Sequence, residues 1–323
     1  MNAASAVDEI TRSVTAFAGD VLDADVRCGT RPVCVGLSGG ADSLALTAAA
    51  VRAGLRVRAL VVDHGLQQDS ATVAQQAAVV ARDLGAAATV LSVSVGRGGG
   101  PEAAARAARY AALDAARDGA PVLLAHTLDD QAETVLMGLA RGSGARSIAG
   151  MRAWSEPWGR PLLALRRRET VDACAELGLT PYVDPHNSDP RFTRVRVRTE
   201  VLPLLDDVLH GGVAEALART GAALRSDTEA LDEIADGIYG HARVGDDLVL
   251  GPLIETPMAV RTRVIRRWLL DVGATEPTGR VIGAVDALAT GRGTGRVAVG
   301  GDPRSRVGVE RRGDRLVGYC ENR

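Results

Sequence analysis

Residues 32–43 read PVCVGLSGGADS, an apolar run that leads directly into a glycine-rich turn. The run Pro32–Leu37 predicts a buried β-strand, and Asp42–Ala53 predicts a helix. Two glycines let a backbone approach a ligand closely, and the free amides at the start of a helix bind phosphate. Asp42 would repel phosphate unless a cation such as Mg²⁺ lies between them. The stretch therefore predicts a nucleotide site, although a turn in which Ser or Asp caps the helix without a ligand explains the same residues.

The first 140 residues alternate apolar runs with helix-like stretches. Further strands are predicted at Leu55–Val62, Thr89–Val95 and Val122–Ala125, and further helices at Ser70–Leu84, Pro101–Arg117 and Asp129–Leu139. Such alternation predicts a doubly wound α/β fold, a mostly parallel sheet with helices on both faces. Ligands bind at the carboxyl ends of the strands in these sheets, so functional residues are expected just after strands.

Two more polar groups follow predicted strands. Asp63 and His64 come directly after the second strand, where they can contact a nucleoside. His126 follows the fourth strand, and Asp130 and Glu133 share a face of the next helix. Such a group suits a metal or a substrate ammonium. Structural roles explain the same residues: a histidine at a strand end, and acids that complement a helix dipole.

All 38 basic residues are arginines, and the chain contains no lysine. A Walker A loop and Schiff-base chemistry on a lysine, both of which need that residue, are therefore excluded. With 40 acidic residues the net charge is −2. Any nucleic-acid contact must therefore come from local arginine-rich segments, namely 141–168, 191–198 and 256–323.

Two smaller groups have alternative interpretations. Trp154 and Trp158 can stack on bases, but a hairpin held by two tryptophans is the commoner explanation. Arg106, Arg109 and Tyr110 share one face of a predicted helix, and such arginine stripes are usually solvated.

The composition changes near residue 209. Residues 211–255 contain three arginines and nine acids, and predict a long acidic helix with a connector. Residues 256–323 contain thirteen arginines and seven acids, and their end predicts short strands joined by Gly-Asp turns. We expect two domains, 1–208 and 209–323, the second being a helical linker followed by a small α+β domain. The sequence shows no membrane span or signal peptide, which predicts a cytoplasmic protein.

Taken in order, these motifs resemble the tRNA(Ile)-lysidine synthetase family of the PP-loop ATP-pyrophosphatase superfamily. The resemblance rests on SGGADS, VDHG, EAAARAARY, AHTLDDQAET and RGSG, and on the later RPLL, DP-x-N and RVRVR segments, all within residues 33–205. It is weaker in the tail, where the length fits the shorter form of the family with one C-terminal domain. The resemblance implies that residues 209–323 recognise the tRNA. Thr127 stands where His or Asn is frequent in the family, and Val195 where an Asn is expected.

The resemblance implies an enzyme that joins L-lysine to the wobble cytidine of an isoleucine tRNA with a CAU anticodon. ATP would adenylate the cytidine, with release of AMP and pyrophosphate, Mg²⁺ would be required, and the family's usual homodimer is expected. The resemblance assigns catalytic roles to Asp42, His126, Asp130 and Glu133, and Mg²⁺ binding to Asp42. It assigns ATP binding to Ser38, Gly39, Gly40, Ala41, Asp42, Ser43, Asp63 and His64. Lysine binding is assigned to Arg106, Asp130 and Glu133, and tRNA binding to Arg141, Arg146, Arg194, Arg196 and Arg198.

Two other functions are open from the sequence. Another PP-loop enzyme, such as a tRNA-cytidine thiolase, shares SGG-x-DS, but the four cysteines include no C-x-x-C pair, which argues against sulfur transfer. A non-catalytic nucleotide-binding module with the same sheet would not need three acids beside the ATP turn together with arginine-rich patches. The ligase is therefore the favoured hypothesis.

Overall fold

The computed structural model describes residues 5–65, 69–94, 96, 101–142, 144–301 and 305–322. The chain forms two compact units. The first comprises Met1–Arg141 and Gly150–Gly221, and the second comprises Gly142–Ala149 and Ala222–Arg323. The domain limits expected from composition, 1–208 and 209–323, stay a prediction.

A mostly parallel sheet is the centre of the first unit. Its described strands are β1 (Val33–Leu37), β2 (Val57–Asp63), β3 (Ala87–Ser92), β4 (Val122–Leu123), β5 (Trp154–Ser155) and β6 (Trp158–Gly159). Their order is β3-β2-β1-β4-β6-β5, and neighbouring strands are parallel except in the β5–β6 hairpin. The predicted doubly wound α/β fold is confirmed. The third strand ends at Ser92, and its predicted end, Val95, lies outside the described residues.

The winding of the sheet reverses between β1 and β4. From β1 the chain proceeds outward through β2 to β3, and then returns to β4 on the other side of β1. The carboxyl ends of β1 and β4 therefore border the crevice in which such sheets bind ligands. Ser38 directly follows β1, and His126 lies just after β4, so both predicted motifs lie at this crevice.

Helices cover the sheet. The described helices of the first unit are Ala6–Val21, Ala24–Arg27, Ala41–Arg52, Ser70–Asp83, Pro101–Ala116, Leu128–Ala140, Arg167–Glu176, Pro185–Ser188 (3₁₀), Thr193–Arg196, Val197–Val201 (π) and Leu202–Val208. The helix Ala6–Val21 packs on both Ala41–Arg52 and Arg167–Glu176, and buries Ile10 and Val14 completely. This packing fixes the helix that starts at the glycine-rich turn relative to the helix that carries Arg167.

The two tryptophans form the β5–β6 hairpin. The ring of Trp158 meets Tyr110 edge-on, with 4.7 Å between ring centroids, and Trp154 lies 6.3 Å from Phe17. Both rings therefore contribute to packing within the first unit, as the structural interpretation of this pair expected.

An antiparallel sheet and packed helices form the second unit. Its strands are β7 (Arg243–Val244), β8 (Asp247–Val249), β9 (Arg296–Gly301), β10 (Ser305–Arg312) and β11 (Arg315–Asn322), in the order β7-β8-β11-β10-β9. Its helices are Ala145–Ile148, Gly251–Ile254, Met258–Asp271, Gly279–Ala289 and the C-terminal part of Val213–Ala242. Trp268 is completely buried in this core, and its indole donates to the Asp246 carbonyl at 2.8 Å. The expected helical linker and small α+β domain are confirmed. Within the described residues, no helix combines the length and apolarity that crossing a membrane requires.

Candidate active site

The turn after β1 requires glycine for two reasons. Gly39 has a φ of +81°, which side chains with a Cβ rarely adopt. A Cβ at this position would also lie 3.3 Å from the Cβ of Ala77. The Tyr182 amide donates to the Gly39 carbonyl at 2.9 Å and ties the turn to a neighbouring loop. Local conformation and close packing therefore favour the same residue.

Hydrogen bonds inside the turn organise the start of the next helix. The Ser38 amide donates to Ser43 Oγ at 3.1 Å, and Ser43 Oγ donates to the Gly40 carbonyl at 3.0 Å. Gly40 precedes the helix Ala41–Arg52, and no described side chain caps it. The first amides of this helix are thus left for a ligand, as a phosphate site needs.

A cavity of about 360 Å³ opens beside the turn. Ser38 and Gly40 line it together with Asp63 and His64, so the two segments predicted to bind ATP share one cavity. Apolar residues of β2 form another part of its wall. The volume and the mixed lining are typical of small-molecule sites.

Arg167 joins three of the predicted catalytic acids. Its Nε lies 3.1 Å from Asp42 Oδ2, its Nη2 3.0 Å from Asp130 Oδ1 and its Nη1 3.9 Å from Glu133 Oε1. Thr170, on the same helix, donates a short hydrogen bond to Asp42 Oδ1. Burial raises the pKa of Asp42, although Arg167 and Thr170 oppose the shift. The structure therefore brings acids from the two sides of the crevice onto one guanidinium.

Asp130 has a structural and an ionic role at once. Its Oδ2 accepts hydrogen bonds from the amide (2.9 Å) and the hydroxyl (3.0 Å) of Thr127, which caps the helix, while its Oδ1 faces Arg167. Burial alone would raise the pKa of Asp130, but Arg167 and the Thr127 amide outweigh burial and lower it. The carboxylate is therefore held in its ionised form.

Glu133 is completely buried and paired with two further arginines. Arg198 binds it through two hydrogen bonds, from Nε to Oε1 at 2.6 Å and from Nη2 to Oε2 at 3.1 Å. Arg194 Nε lies 3.5 Å from Oε2 of the same carboxylate. Burial raises the pKa of Glu133, and Arg198 opposes that shift. Two residues that the resemblance assigns to tRNA are thus counter-ions of one that it assigns to lysine.

Arg106, also assigned to lysine, lies apart from these acids. Its side chain is exposed, its Nη2 donates to the Tyr110 hydroxyl at 3.2 Å, and its guanidinium lies 4.9 Å from that ring's centre. Among the described residues it forms no ion pair with Asp130 or Glu133.

The other arginines assigned to tRNA are exposed. Arg196 forms an ion pair with Glu200 on the surface of the first unit. Arg141 follows the helix Leu128–Ala140, and Arg146 pairs with Asp232 in the second unit at 2.5 Å. Exposed guanidinium groups of this kind are available to phosphates.

His126 is the remaining predicted catalytic residue. Its Nδ1 is buried and has no hydrogen-bond partner in the described part of the chain. Burial lowers the pKa of His126 to about 3, and the nearby arginines act in the same direction against Asp130. The imidazole is therefore neutral at physiological pH.

Asp42 could serve as a Mg²⁺ ligand only if substrate phosphates supplied further oxygen ligands. Mg²⁺ prefers oxygen ligands and is often held by one or two carboxylates plus phosphate oxygens. Asp42 lies in the first turn of the helix whose free amides suit phosphate. The ranges described contain no group of three or more His, Cys, Asp and Glu residues that could hold a metal by themselves.

Comparison with known proteins decides the family. Residues 8–205 match the PP-loop domain, and residues 248–317 match the TilS substrate binding domain. The tRNA(Ile)-lysidine synthase of Nocardia farcinica is 62% identical over 288 residues, which cover 88% of this chain and 91% of that protein. The chain belongs to the tRNA(Ile)-lysidine synthase family. The lysidine synthase of Mycobacterium bovis is 58% identical over 323 residues and covers 98% of both chains.

Membership in the lysidine synthase family makes the chain an enzyme, a ligase that forms a carbon–nitrogen bond, with an ATP-binding PP-loop domain. A solved U34-tRNA thiolase from Methanococcus maripaludis shares the fold, with a TM-score of 0.54 at 19% identity over 68% of this chain and 79% of that one.

Sequence reasoning missed Arg167, although the sequence contains a signal for it. Arg166, Arg167 and Arg168 stand at the start of a helix, where the positive end of the dipole disfavours cations. Such a run needs acidic partners from elsewhere in the fold. Asp129 supplies one of them: its Oδ1 lies 3.1 Å from Arg166, and its Oδ2 accepts from the Arg167 amide at 2.7 Å.

Proposed function

We propose that this lysidine synthase joins L-lysine to the wobble cytidine of an isoleucine tRNA with a CAU anticodon, with cleavage of ATP to AMP and pyrophosphate. One observation carries the proposal: Asp42 and Asp130 meet on Arg167, next to a glycine turn that borders a nucleotide-sized cavity. Relatives 58–62% identical bear the name of this activity.

In the first proposed step, the O2 oxygen of the cytidine attacks the α-phosphorus of ATP. A new P–O bond forms, the bond to the bridging oxygen breaks, and pyrophosphate leaves. The turn from Ser38 to Ser43 binds the phosphates, largely through its amides, while Asp63 and His64 contact the nucleoside. Mg²⁺, when held by Asp42 together with the phosphates, would neutralise charge on the leaving group.

In the second proposed step, the lysine ε-amine attacks C2 of the adenylated cytidine. A C–N bond forms, the C2–O bond breaks, AMP leaves with the electron pair, and the attacking nitrogen gives up its proton to water. Arg106 pairs with the lysine carboxylate, and Asp130 and Glu133 bind the ammonium groups on entry. His126 is neutral, and its Nδ1, which has no partner among the described residues, can form a hydrogen bond within the reacting complex.

Substrate binding in this scheme exchanges ion pairs. The lysine ammonium competes for Glu133 with Arg194 and Arg198, and tRNA phosphates compete with Glu133 for the same two arginines. Exposed Arg141, Arg146 and Arg196 supply further phosphate contacts. The expected homodimer and cytoplasmic location stay predictions.

The test uses the full chain with ATP, Mg²⁺, labelled lysine and an isoleucine tRNA transcript with the CAU anticodon. We expect one lysine per tRNA, together with stoichiometric AMP and pyrophosphate. The matched control is the same transcript with uridine at the wobble position, which should accept none. Absence of incorporation by folded, ATP-binding protein would disprove the proposal.

A further inference from the structure

Arg109 occupies an unusual place for a cation. It lies on the helix Pro101–Ala116, which packs on β2, and its side chain lines the cavity beside Ser38 and His64. A Cβ on Gly36, within β1, would lie only 3.7 Å from Arg109 Nη2. The guanidinium therefore lies over the sheet, close to the carboxyl ends of the two central strands.

This guanidinium has no counter-ion in the described part of the chain. Within the described ranges Arg109 forms neither an ion pair nor a hydrogen bond, whereas Arg117, just after the same helix, pairs with Asp114 at 2.6 Å. Burial lowers the pKa of Arg109, and the charge of Arg106 acts in the same direction. A partly buried cation without a partner is less favourable than a paired one, so an anionic ligand in the cavity would gain from pairing with Arg109.

Acids in the cavity wall are already engaged. Asp63 Oδ1 accepts from the Gly65 amide at 3.0 Å, and Asp184 Oδ1 accepts from the His186 amide at 2.9 Å. Each carboxylate thus stabilises its own turn. His64 Nδ1, in the same wall, is buried and unpartnered among the described residues. Burial lowers the pKa of His64, and Arg109 acts in the same direction. The wall therefore presents to a ligand a guanidinium and an imidazole that resists protonation.

We propose that Arg109 binds the α-phosphate of ATP and keeps that contact with AMP until AMP is released. The inference rests on the proposed use of this cavity for ATP. The free amides of the helix Ala41–Arg52 suit the departing pyrophosphate, and Arg109 suits the phosphoryl group that stays with the nucleoside. A guanidinium binds phosphate oxygens in a bidentate manner, and negative charge on the α-phosphoryl oxygens is what it would stabilise during cytidine attack.

The experiment compares calorimetric binding of Mg-ATP, AMP and adenosine to Arg109→Met and Arg117→Met variants of the full chain. In Arg109→Met we expect affinity for ATP and AMP to fall about 10- to 100-fold, while affinity for adenosine is unchanged. The ligand-free variant should melt no lower than the wild type, because it loses an uncompensated cation. Arg117→Met should bind all three ligands normally.

Three results for Arg109→Met would overturn the inference. The first is an affinity for AMP equal to that of the wild type, and the second is a loss of affinity for adenosine as large as the loss for AMP. The third is a loss of affinity for ATP alone, which would place the contact on the β- or γ-phosphate. If the Met variant does not fold, Arg109→Lys replaces it. That variant should bind AMP more weakly than the wild type and adenosine equally well, and unchanged AMP affinity would again contradict the proposal. Normal ATP binding without lysine incorporation by the wild type would refute the proposed ligase reaction but not the role of Arg109.

Discussion

Two regions beside the glycine turn handle charge in opposite ways. In the first, three carboxylates meet three guanidinium groups within ion-pair distance, namely Asp42, Asp130 and Glu133 with Arg167, Arg194 and Arg198. In the second, Arg109 lines a cavity without a counter-ion among the described residues. The first region is electrostatically complete without substrates, so a charged substrate must displace a partner there. In the second region an anionic ligand would neutralise the guanidinium of Arg109. The arrangement therefore strengthens ligand binding and does not stabilise the ligand-free protein.

The largest effect should come from Asp130→Asn, which tests whether the paired acids are functional. Loss of this charge removes a partner of Arg167 and a proposed ligand of the lysine ammonium, so lysidine formation should fall by about 100-fold or more. ATP binding should persist, because Asp130 is not among the residues that line the cavity. Binding calorimetry and the lysine incorporation assay measure the two quantities separately.

Asp129→Asn is the matched control for that change. It removes the same charge from the preceding residue, whose carboxylate contacts Arg166 and the Arg167 amide and touches none of the other predicted catalytic acids. This variant should retain ligation. Full ligation by Asp130→Asn would remove that residue from the site and leave only its capping role.

The next prediction concerns stability: Glu133→Gln tests whether buried pairing stabilises the cluster. The change leaves Arg198 without its bidentate carboxylate, and breaking a buried ion pair lowers the free energy of unfolding by about 3–5 kcal/mol. Urea denaturation of the full chain measures the loss. Glu200→Gln breaks the exposed pair with Arg196 and should change stability by no measurable amount. Equal stability of both variants would show that Glu133 and Arg198 are not coupled in solution.

The smallest effect concerns His126, whose charge state responds to both regions. Its pKa of about 3 means that the ring stays neutral from pH 5 to pH 8, because burial and the nearby arginines disfavour the imidazolium. Nitrogen chemical shifts of labelled histidine should show no titration of this ring over that range. Arg109→Met removes one of the cations and should raise the pKa of His126. Titration near pH 6.5 in the wild type would contradict the buried, neutral ring.

Local sequence was a good guide wherever one residue's neighbours decide its conformation. The apolar run before Ser38 and the glycines after it predicted β1 and its turn, because a buried strand and a left-handed φ each require particular residue types. The acids after β4 were predicted to share a helix face, and they do so. The sequence could not show that Arg167 reaches Asp42, since 125 residues separate them.

The segment Arg194–Arg198 shows why the sequence did not reveal which arginines form ion pairs with the acids. Arginines at alternate positions predict a set of tRNA contacts when only the sequence is considered. The chain there is helical, through Thr193–Arg196 and then Val197–Val201, so Arg194 and Arg198 share one face and Arg196 lies on another. Two of the three therefore reach buried Glu133, while Arg196 meets exposed Glu200.

The sequence by itself determined the sheet, the glycine turn, the acids after β4 and the absence of lysine, because these depend on residue type and short-range spacing. Only the tertiary structure decided which arginines neutralise those acids and which one is left for a ligand. Coulomb interactions depend on distances and burial that no local pattern records. Arginine therefore neutralises buried acids in one region of this protein and is available to an anionic ligand in another.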